Sequence, residues 1–460
     1  MTKVTLPYGA GTIEAQVPER TNVVRGGAVG GQRPRLAPVA DQAAAVRQAL
    51  ARPLGLPPVR NMVRPNARVL IAFDDPTVPS YGPVRQLAIE ELLAELDAAG
   101  VPEASVQLVC ANALHRKWTK EELARVIGED LVRRFGDRLS CHDAEDWDNL
   151  VHVGTTKSGY AVDIHKGVVD SDLTIYVNAV CHMGFGGGWK SIAVGLSTWR
   201  SISATHTPDG MSMSVRNNRM HDVFNEQGEF LEEKLGKRCY KIETILADAT
   251  KIGRVWAGGI RETRAAAQEV LEELNPPRRS QARAPADVVI YGIPAWSPYD
   301  TFAKMNPILT LISSGMGYMG GYIEALGKPG CSVIVTTPCP DEWDRVHHAA
   351  YPEVWERVLP ETRDPYEITD RYSEEFATHA GFIEQYRNAY AFHPVHAILA
   401  TQPLKRLKHA ARVFVAGAED PKVPERVGFI PTASVEEAIA EAEAIHGKDC
   451  SIVVVPNAMG

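Results

Sequence analysis

The chain has 460 residues, of which 45% are hydrophobic and 23% are charged, which is the composition of an ordinary globular protein. A chain of this length has room for two or three domains and for a buried pocket. The formal net charge of -8 argues against nucleic acid or an anionic membrane as the partner, so a small molecule is the favoured ligand.

The sequence predicts no targeting or membrane segment. Its first residues lack the apolar core of a signal peptide, and no apolar run approaches the ~20 residues that span a bilayer. We therefore expect a cytoplasmic protein. The 7 cysteines are scattered and form no Cys-x-x-Cys pair, which argues against a disulfide framework or a thiolate zinc site and favours small core residues.

The first clear strand signal ends in acidic residues. Residues 67–73 form a short apolar run that is typical of a buried strand, and Asp74, Asp75 and Thr77 follow it. An amphipathic helix is predicted over residues 84–99. We interpret Asp74 as a solvated residue or a helix cap.

Two further predicted strands also lead into polar or glycine-rich segments. Residues 105–110 predict a strand that ends near His115, and a capping-box pattern at Thr119 opens the next helix. Residues 173–180 predict a strand that leads into the glycine-rich segment 184–188. Strands that alternate with helices indicate a parallel sheet, which binds ligands beyond the carboxyl ends of its strands.

The second half of the chain predicts another α/β unit. Between residues 275 and 286 the sequence loses its periodicity, which marks a domain boundary. We predict an α/β protein with two domains, residues 1–276 and 286–460, each with a mainly parallel sheet flanked by helices, and with the active site in the cleft between them. A helix is predicted over residues 434–446, and strands are predicted over residues 287–292, 332–337, 396–400, 412–416 and 451–455.

The glycine-rich segment carries the strongest functional signal. The glycines at 186–188 leave bare backbone that can approach a phosphate or another bulky ligand, and Lys190 follows them. Trp189 stands where the phosphate loop of a nucleotide triphosphatase has a glycine, which disfavours that class. His182 and His206 lie on either side of the segment. The plain alternative is a glycine-rich turn with an ordinary surface lysine.

Short motifs along the whole chain make it resemble the lactate racemase family, whose members use a nickel-pincer nucleotide. Singly these motifs are common, and their order and spacing carry the resemblance. They are Leu6–Gly9, Ala49–Gly55, Asp75–Pro79, His115–Arg116 with Thr119 and Glu121–Leu123, Gly184–Lys190, His206, and Asn218 with His221–Asp222.

The resemblance implies a cofactor that is tethered to a lysine. In that family a pyridinium mononucleotide with two sulfur substituents is joined to lysine through a thioamide, and nickel is held by the sulfurs, a ring carbon and one histidine. Lys190 is similar in position to the tether and His206 to the nickel ligand, and imidazole and soft sulfur suit square-planar nickel. Proteins that synthesise the cofactor are implied as partners. Cofactor contacts are implied for Asp75, Thr77, Gly186, Gly187 and Gly188.

The resemblance also implies that the chain racemises or epimerises a 2-hydroxy acid. Hydride passes from the α-carbon of the substrate to the cofactor while a base takes the hydroxyl proton, and hydride then returns to the other face of the 2-keto acid. Histidine suits this role because its unperturbed pKa lies near 6.5. His115 matches the first catalytic histidine. The second would fall at Val180, whereas this chain has His182 two residues later, a shift of about 6 to 7 Å along a strand.

A second departure from the family concerns the substrate. Val78 stands where the family has an arginine, and valine offers no charge or fork of donors to a carboxylate. Substrate binding is implied for Arg116, for Lys304, which resembles a lysine of the family, and for Thr301, which stands where the family has a glutamine. These changes indicate a substrate other than lactate.

Two alternatives stay open from the sequence. Val78 and His182 are compatible with a lyase or dehydrogenase that kept the scaffold without the pincer cofactor, and the glycine segment alone is compatible with a non-catalytic nucleotide-binding protein. The pairs His347–His348 and His393–His396 lack the partners of a zinc motif and are interpreted as polar or interface residues. The identity of the hydroxy acid and the formation of a homo-oligomer are left open.

Overall fold

The structure is a computed structural model that describes residues 1–24, 34–80, 82–180, 186–211, 214–275 and 284–457. It forms two compact units. We call the described residues of Pro34–Asn275 and Ile383–His393 the central unit. The described residues of Met1–Arg33, Pro276–Phe382 and Pro394–Gly460 are the terminal unit.

Strands and helices alternate along most of the described chain. The strands are β1 (Thr2–Gly9), β2 (Gly11–Val17), β3 (Asn22–Val23), β4 (Val69–Asp74), β5 (Val106–Ala111), β6 (Leu139–Cys141), β7 (Leu150–Thr155), β8 (Ala161–His165), β9 (Leu173–Val180), β10 (Tyr240–Asp248), β11 (Lys251–Gly259), β12 (Ala286–Pro294), β13 (Gly327–Thr336), β14 (Ala410–Ala416), β15 (Ile430–Thr432) and β16 (Ile452–Val455). The α-helices are α1 (Gln42–Ala51), α2 (Val84–Ala98), α3 (Lys120–Ile127), α4 (Glu129–Phe135), α5 (Lys166–Asp170), α6 (Lys190–Ala193), α7 (Trp199–Ile202), α8 (Arg219–Leu235), α9 (Ile260–Leu274), α10 (Gly321–Leu326), α11 (Tyr351–Glu353), α12 (Leu359–Glu361), α13 (Pro365–Ala377), α14 (Ala380–Asn388), α15 (Val395–Leu399), α16 (Lys422–Arg426) and α17 (Val435–His446).

A six-stranded sheet forms the core of the central unit, in the order β11-β10-β9-β4-β5-β6. Its strands are parallel except for the β10–β11 pair. Every residue of β4 and β9 is buried, which explains why both segments consist mainly of apolar residues. The predicted strands and the predicted helix of this half therefore form close to their predicted bounds.

The carboxyl ends of β9, β4 and β5 lie side by side because these strands are neighbours in the sheet. Asp74 closes β4, and the turn that carries His115 follows β5. The predicted capping box opens α3: the Glu122 amide donates to the Thr119 hydroxyl at 3.2 Å, and the Thr119 amide donates to the Glu122 carboxylate at 2.9 Å. The polar segments that the sequence marked therefore share one edge of the sheet.

The terminal unit is built on an eight-stranded sheet. Its main path is β15-β14-β13-β12-β1-β2, and β16 pairs with both β12 and β3. The pairs among β12, β13, β14 and β16 are parallel, whereas β2 runs antiparallel to β1. Both sheets are mainly parallel and flanked by helices, so the predicted α/β class is confirmed.

The described units differ from the predicted division into residues 1–276 and 286–460. The N-terminal strands belong to the terminal unit, because β1 pairs with β12 through Tyr8 and Ile293, and Leu6 packs in the same core as Ile290. In the other direction, Ile383–His393 leaves the second half of the chain and joins the central unit. Both exchanges depend on tertiary packing, which no local pattern in the sequence reports.

The predicted strand over residues 396–400 is wrong, because this segment forms helix α15. Pro394, which precedes the helix, already has helical backbone angles of φ -60 and ψ -34. A short buried apolar run has no periodicity that separates strand from helix. In the part of the chain that the structure describes, no helix is both long enough and apolar enough to span a membrane.

Candidate active site

Asp74 anchors the edge of the sheet and is buried. Its carboxylate accepts hydrogen bonds from the Tyr176 hydroxyl at 3.0 Å, the Asn178 amide at 2.7 Å and the backbone N–H of Ala179 at 2.6 Å. Burial raises the pKa of Asp74, while the charge of Arg85 and these hydrogen bonds act against the increase. The interpretation of Asp74 as a solvated residue or a helix cap was therefore wrong, since it ties β4 to β9.

Asp75 and Thr77 hold the ring of His115. The Asp75 carboxylate lies 2.8 Å from Nδ1 of His115 and accepts the Thr77 hydroxyl hydrogen at 2.6 Å. Because a carboxylate only accepts, Nδ1 carries a hydrogen and donates it to Asp75. Asp75 is 5% exposed and His115 is 23% exposed, so a buried acid orients a histidine that solvent still reaches.

The segment Ile383–His393 covers the same turn from the other side. The ring of Phe392 meets the ring of His115 edge-on, with centroids 5.7 Å apart. The backbone N–H of His393 donates to the Leu114 carbonyl at 3.0 Å, and Nε2 of His393 lies 3.0 Å from the Glu145 carboxylate. Sequence reasoning missed Phe392, because nothing local links it to a residue nearly 280 positions earlier.

Arg116, which was predicted to bind substrate, has a different role in the structure. Its guanidinium is fully buried and donates twice to the Glu122 carboxylate, at 3.0 and 2.6 Å. It also lies over the ring of Trp118, at 4.0 Å from the centroid. The guanidinium of Arg116 therefore stabilises the turn after His115. This contact replaces the predicted contact of Arg116 with the substrate.

Arg85 supports the turn that follows β4 and was also missed. Its side chain is fully buried, and its guanidinium donates to the backbone carbonyls of Ser80 and Val78, each at 3.0 Å, and of Asp75 at 3.3 Å. An arginine at the second position of an amphipathic helix gives no sequence signal for such a role. It holds in place the backbone from which the Asp75 side chain projects.

Charged residues from β10 and α9 form hydrogen bonds with the backbone of the glycine loop. The Lys241 ammonium donates to the Gly188 carbonyl at 2.7 Å, and Arg264 donates to the Gly186 carbonyl at 2.8 Å. The Glu243 carboxylate accepts the Gly188 N–H at 3.3 Å and lies 3.1 Å from the Lys241 ammonium. Lys241 and Glu243 are both fully buried. Their pairing offsets the cost of burying either charge alone.

Two of the loop glycines are required by geometry. Gly187 and Gly188 have φ angles of +81° and +56°, which side-chain-bearing residues rarely adopt. A Cβ at Gly187 would lie 2.3 Å from the Glu243 carboxylate. The next residue, Trp189, is buried against Gly228 of α8, where an added Cβ would lie 1.9 Å from the indole ring.

Lys190 opens helix α6 directly after this loop and is half-buried. Burial lowers the pKa of the Lys190 ammonium, and the charge of Lys241 acts in the same direction. Asp74 and Asp75 act against this decrease. The lysine side chain therefore lies within the field of the carboxylates at the end of β4.

His206 shares this neighbourhood. Burial lowers the pKa of His206 to about 3, and the charges of Lys190 and His115 act in the same direction. The Thr205 hydroxyl donates to the Ile202 carbonyl at 2.9 Å and lies 2.9 Å from Nδ1 of His206. Since its one hydrogen is used on Ile202, this hydroxyl accepts from Nδ1–H, and Nε2 carries the lone pair.

Among the predicted site residues, Asp75 and His115 are hydrogen-bonded. The charge of Asp75 also acts on Lys190, and the charge of Lys190 acts on His206. His182 lies outside the described residues. Within the described ranges, no group of three or more His, Cys, Asp or Glu side chains is arranged to hold a metal ion.

Lys304 and Thr301 lie in the terminal unit, and their contacts are given within that unit. Lys304 is exposed, and the Thr301 hydroxyl donates to the Pro298 carbonyl at 2.9 Å. Tyr299, just before them, has its carbonyl 3.0 Å from Nε2 of His348, and its ring meets the ring of His396 at 4.4 Å. His348 and His396 thus both contact Tyr299, which lies just before Thr301 and Lys304 in the chain.

Comparisons with known proteins cover the whole chain. Residues 8–218 match the model of the lactate racemase N-terminal domain. The lactate racemase of Thermoanaerobacterium thermosaccharolyticum is 23% identical over 467 residues, which span 99% of this chain and 98% of that protein. The lactate racemase of Lactiplantibacillus plantarum is also 23% identical, over 100% of this chain and 99% of that protein. The chain thus matches a lactate racemase domain over residues 8–218 and is similar to two lactate racemases over its whole length.

Two solved structures have the same fold as this chain. The lactate racemase apoprotein of T. thermosaccharolyticum has a TM-score of 0.70 at 20% identity, over 100% of this chain and 99% of that one. A protein from Thermotoga maritima has a TM-score of 0.52 at 14% identity, over 92% and 98% of the two chains. The solved structures thus show the fold, and the similarity to lactate racemases that the short motifs indicate is confirmed by the sequence comparisons.

Proposed function

We propose that this protein is an isomerase that racemises or epimerises a 2-hydroxy acid. The match of residues 8–218 to the lactate racemase N-terminal domain and full-length similarity to two lactate racemases support the reaction class. The observation that carries the proposal is the hydrogen bond between Asp75 and His115 beside Lys190 and His206. An oriented acid/base histidine next to a candidate cofactor lysine is what such a reaction requires.

The residues of the chain fit the nickel-pincer nucleotide that the resemblance implies. The Gly186–Gly188 backbone has no side chains to obstruct a nucleotide, and Lys190 is the proposed covalent tether. His206 is the proposed nickel ligand, because its bond to Thr205 leaves the lone pair on Nε2. Thr77 is proposed to contact the nucleotide. When bound, this cofactor supplies reversible acceptance of hydride from the α-carbon of the substrate.

His115 is the proposed base for the hydroxyl proton of the substrate. Its Nε2 takes the proton, and the Asp75 carboxylate stabilises the imidazolium that results. General base catalysis of this kind contributes roughly 10²- to 10⁴-fold. We propose Asp75 as the positioning residue for His115, in place of its predicted contact with the cofactor. His182 is the proposed acid/base on the opposite face of the substrate.

Lys304 and Thr301 are the proposed substrate-binding residues. The exposed ammonium of Lys304 suits a carboxylate. The Thr301 hydroxyl already donates to a carbonyl, so it offers lone pairs to a donor on the substrate. A hydroxy acid with an additional hydroxyl group would match both. Arg116 takes no part in this proposal, because its guanidinium is held by Glu122.

The experiment that tests the proposal uses enzyme produced together with cofactor-synthesis proteins, which are its proposed partners. A panel of enantiopure 2-hydroxy acids deuterated at the α-carbon, including sugar acids and aromatic acids, is followed for loss of optical purity. We expect the inverted product to retain deuterium, because hydride leaves and returns without mixing with water. Loss of deuterium to solvent would instead indicate a proton-abstracting lyase or racemase.

Cofactor loading is measured separately by peptide mass spectrometry and nickel analysis. We expect a cofactor-sized mass on the Lys190 peptide and one nickel per chain, both lost in Lys190→Arg. Lys237→Arg is the matched control, since Lys237 donates to the carbonyls of Val169 and Ser171 away from this loop. A loaded enzyme that inverts no acid of the panel would contradict the proposed reaction. An active enzyme without added mass would support a pincer-free alternative.

A further inference from the structure

Cys110 and Cys141 face each other on adjacent strands. They are direct partners in the parallel ladder between β5 and β6. Neighbouring strands lie about 4.8 Å apart, and paired residues project their side chains to the same face of the sheet. That spacing falls within the range of roughly 4.4 to 6.8 Å between the Cα atoms of a disulfide. The two cysteines are therefore close enough to be joined without moving either strand.

The two thiols influence each other's protonation. The Cys110 thiol lowers the pKa of Cys141, and Lys117 acts in the same direction. The backbone N–H of Trp118 donates to the sulfur of Cys141 at 3.3 Å, and the Cys141 thiol donates to the Trp118 carbonyl at 3.7 Å. Burial raises the pKa of Cys110.

The two thiols also differ in their access to solvent. Cys110, one residue before the end of β5, is fully buried, whereas Cys141 at the end of β6 is half-buried. A reagent in solution therefore reaches Cys141 first, and Cys110 is accessible only to a group already attached to Cys141. This is the arrangement of an attacking thiol and a resolving thiol.

We propose that Cys110 and Cys141 form a dithiol modification site that small disulfides such as oxidised glutathione convert to an intramolecular disulfide. The Cys141 thiolate attacks one sulfur of the reagent, forms a mixed disulfide and releases one glutathione thiolate. Cys110 then loses its proton and attacks the sulfur of Cys141, which releases the second glutathione. The protein loses two hydrogens, and one oxidised glutathione becomes two reduced molecules.

The site lies beneath the turn that carries His115. Residue Ala111 ends β5 just after Cys110, and the sulfur of Cys141 accepts from Trp118 on the far side of that turn. The carboxylate of Asp75 acts electrostatically on both thiols. Bond formation between the sulfurs removes the S–H donor of Cys110 and reorients the partner of Trp118. Oxidation therefore acts on the backbone that positions His115.

The test is mass spectrometry of native protein treated with oxidised glutathione and then digested, in a Cys181→Ser background because residue 181 lies outside the described residues. We expect a Cys110–Cys141 linked peptide, reversed by dithiothreitol. Cys110→Ala should trap one glutathione on Cys141, since the resolving thiol is gone, and Cys141→Ser should bind none at Cys110. Cys450→Ser is the matched control and should still form the link, because Cys450 lies in the terminal unit.

Retention of both thiols by the native protein, when the same protein unfolded in urea forms the link, would overturn the proposal. Trapping of glutathione on Cys110 in Cys141→Ser would overturn the assigned order of attack and with it the proposal. The readout is mass and not turnover, so it stands apart from the proposed isomerase activity. Failure of one leaves the other intact.

Discussion

One hydrogen bond joins Asp75 and His115, which the sequence treated as separate residues. The sequence predicted a cofactor contact for Asp75 and an acid/base role for His115, as two separate assignments. In the structure Nδ1 of His115 lies 2.8 Å from the Asp75 carboxylate. The carboxylate and the imidazole therefore form one unit, and the effect of each on catalysis includes the other.

We expect Asp75→Asn to lower kcat of the loaded enzyme by about 10²-fold or more while KM changes little. The amide still accepts a hydrogen bond, yet it provides no negative charge to stabilise the imidazolium. Steady-state kinetics with the best acid of the panel measures the effect. Asp172→Asn is the control, because Asp172 accepts from the Arg68 amide at the opposite end of the sheet. A variant that retained full kcat would contradict the assigned role.

His142 predicts a pH effect on stability. Its ring is fully buried, Nε2 donates to the Ser197 carbonyl at 2.9 Å, and burial lowers the pKa of His142 to about 3. In the unfolded chain His142 therefore becomes protonated near pH 6.5, whereas in the folded protein it stays neutral down to about pH 3. The free energy of unfolding therefore decreases as the pH falls from 6.5 towards 3. At pH 5 the loss from this residue is roughly 2 kcal/mol.

The measurement is urea unfolding at pH 7 and at pH 5 for the wild type and for His142→Gln, whose amide can still donate to the Ser197 carbonyl. We expect the variant to gain roughly 2 kcal/mol relative to wild type at the lower pH. His409→Gln serves as the control, since His409 lies in the terminal unit and donates to the Gly327 carbonyl. An equal pH response in wild type and His142→Gln would contradict the prediction.

At the level of elements, the contact between α6 and α8 is unusually close. Helix α8 places Gly228 against the ring of Trp189, the residue before Lys190. A Cβ at Gly228 would lie 1.9 Å from an indole atom, so either the helix or the tryptophan must shift. Because Trp189 leads directly into α6, this glycine sets the position of the lysine indirectly.

We therefore expect Gly228→Ala to destabilise the protein by about 1 to 3 kcal/mol, although alanine favours helix more than glycine does. Thermal unfolding measures the loss, and cofactor loading on the Lys190 peptide reports the displacement of α6. Glu233→Ala, on the exposed face of the same helix, is the control for helix propensity. A Gly228→Ala variant that is more stable than the wild type would contradict the prediction, because the Trp189 ring would then move aside without loss of stability.

Elements with a continuous or a strictly amphipathic pattern were predictable from the sequence, as β4, β9 and α17 show. Strand β10 shows the limit. Its charged residues at 241 and 243 alternate with apolar ones, which is typical of a strand with one solvated face. The structure buries both charges, because the glycine loop packs on that face and supplies their partners. The local sequence pattern shows only that residues 241 and 243 are charged. Their burial depends on the glycine loop, which is distant in sequence.

The positions of Asp75 and His115 just beyond strand ends were predictable from motifs, whereas the roles of the predicted site residues stay predictions. The contacts that Arg85, Arg264 and Phe392 make were not predictable, because their partners are not marked by any local pattern. Arg116 was predicted to bind substrate because it stands beside His115 in the same motif. Its actual partner, Glu122, was visible in the sequence only as part of the capping box.

At the scale of the whole molecule, the terminal unit is assembled from both ends of the chain. Val4, Leu6 and Val17 of the first two strands are buried in the core that β12 and β16 also form. Burial of each such side chain contributes roughly 1.5 to 3 kcal/mol. Together they contribute about as much as the net stability of a typical domain.

We expect deletion of residues 1–24 to abolish the cooperative unfolding transition of the terminal unit, measured by circular dichroism with urea. A synthetic peptide of residues 1–24 added to the truncated protein should restore it in part. The matched control is the double variant Lys3→Ala, Glu14→Ala, which removes only an exposed ion pair on the same strands. A truncated protein that kept its full transition would show that β1 and β2 are dispensable.

The sheet order also governs events on the ribosome. Strands β1 and β2 are synthesised long before their partners, because β12 begins at Ala286 and β16 ends at Val455. At roughly 5 to 20 residues per second, the nascent hairpin waits tens of seconds for β12, and two strands alone are not stable in water. The terminal unit therefore completes its sheet only after β16 has been synthesised.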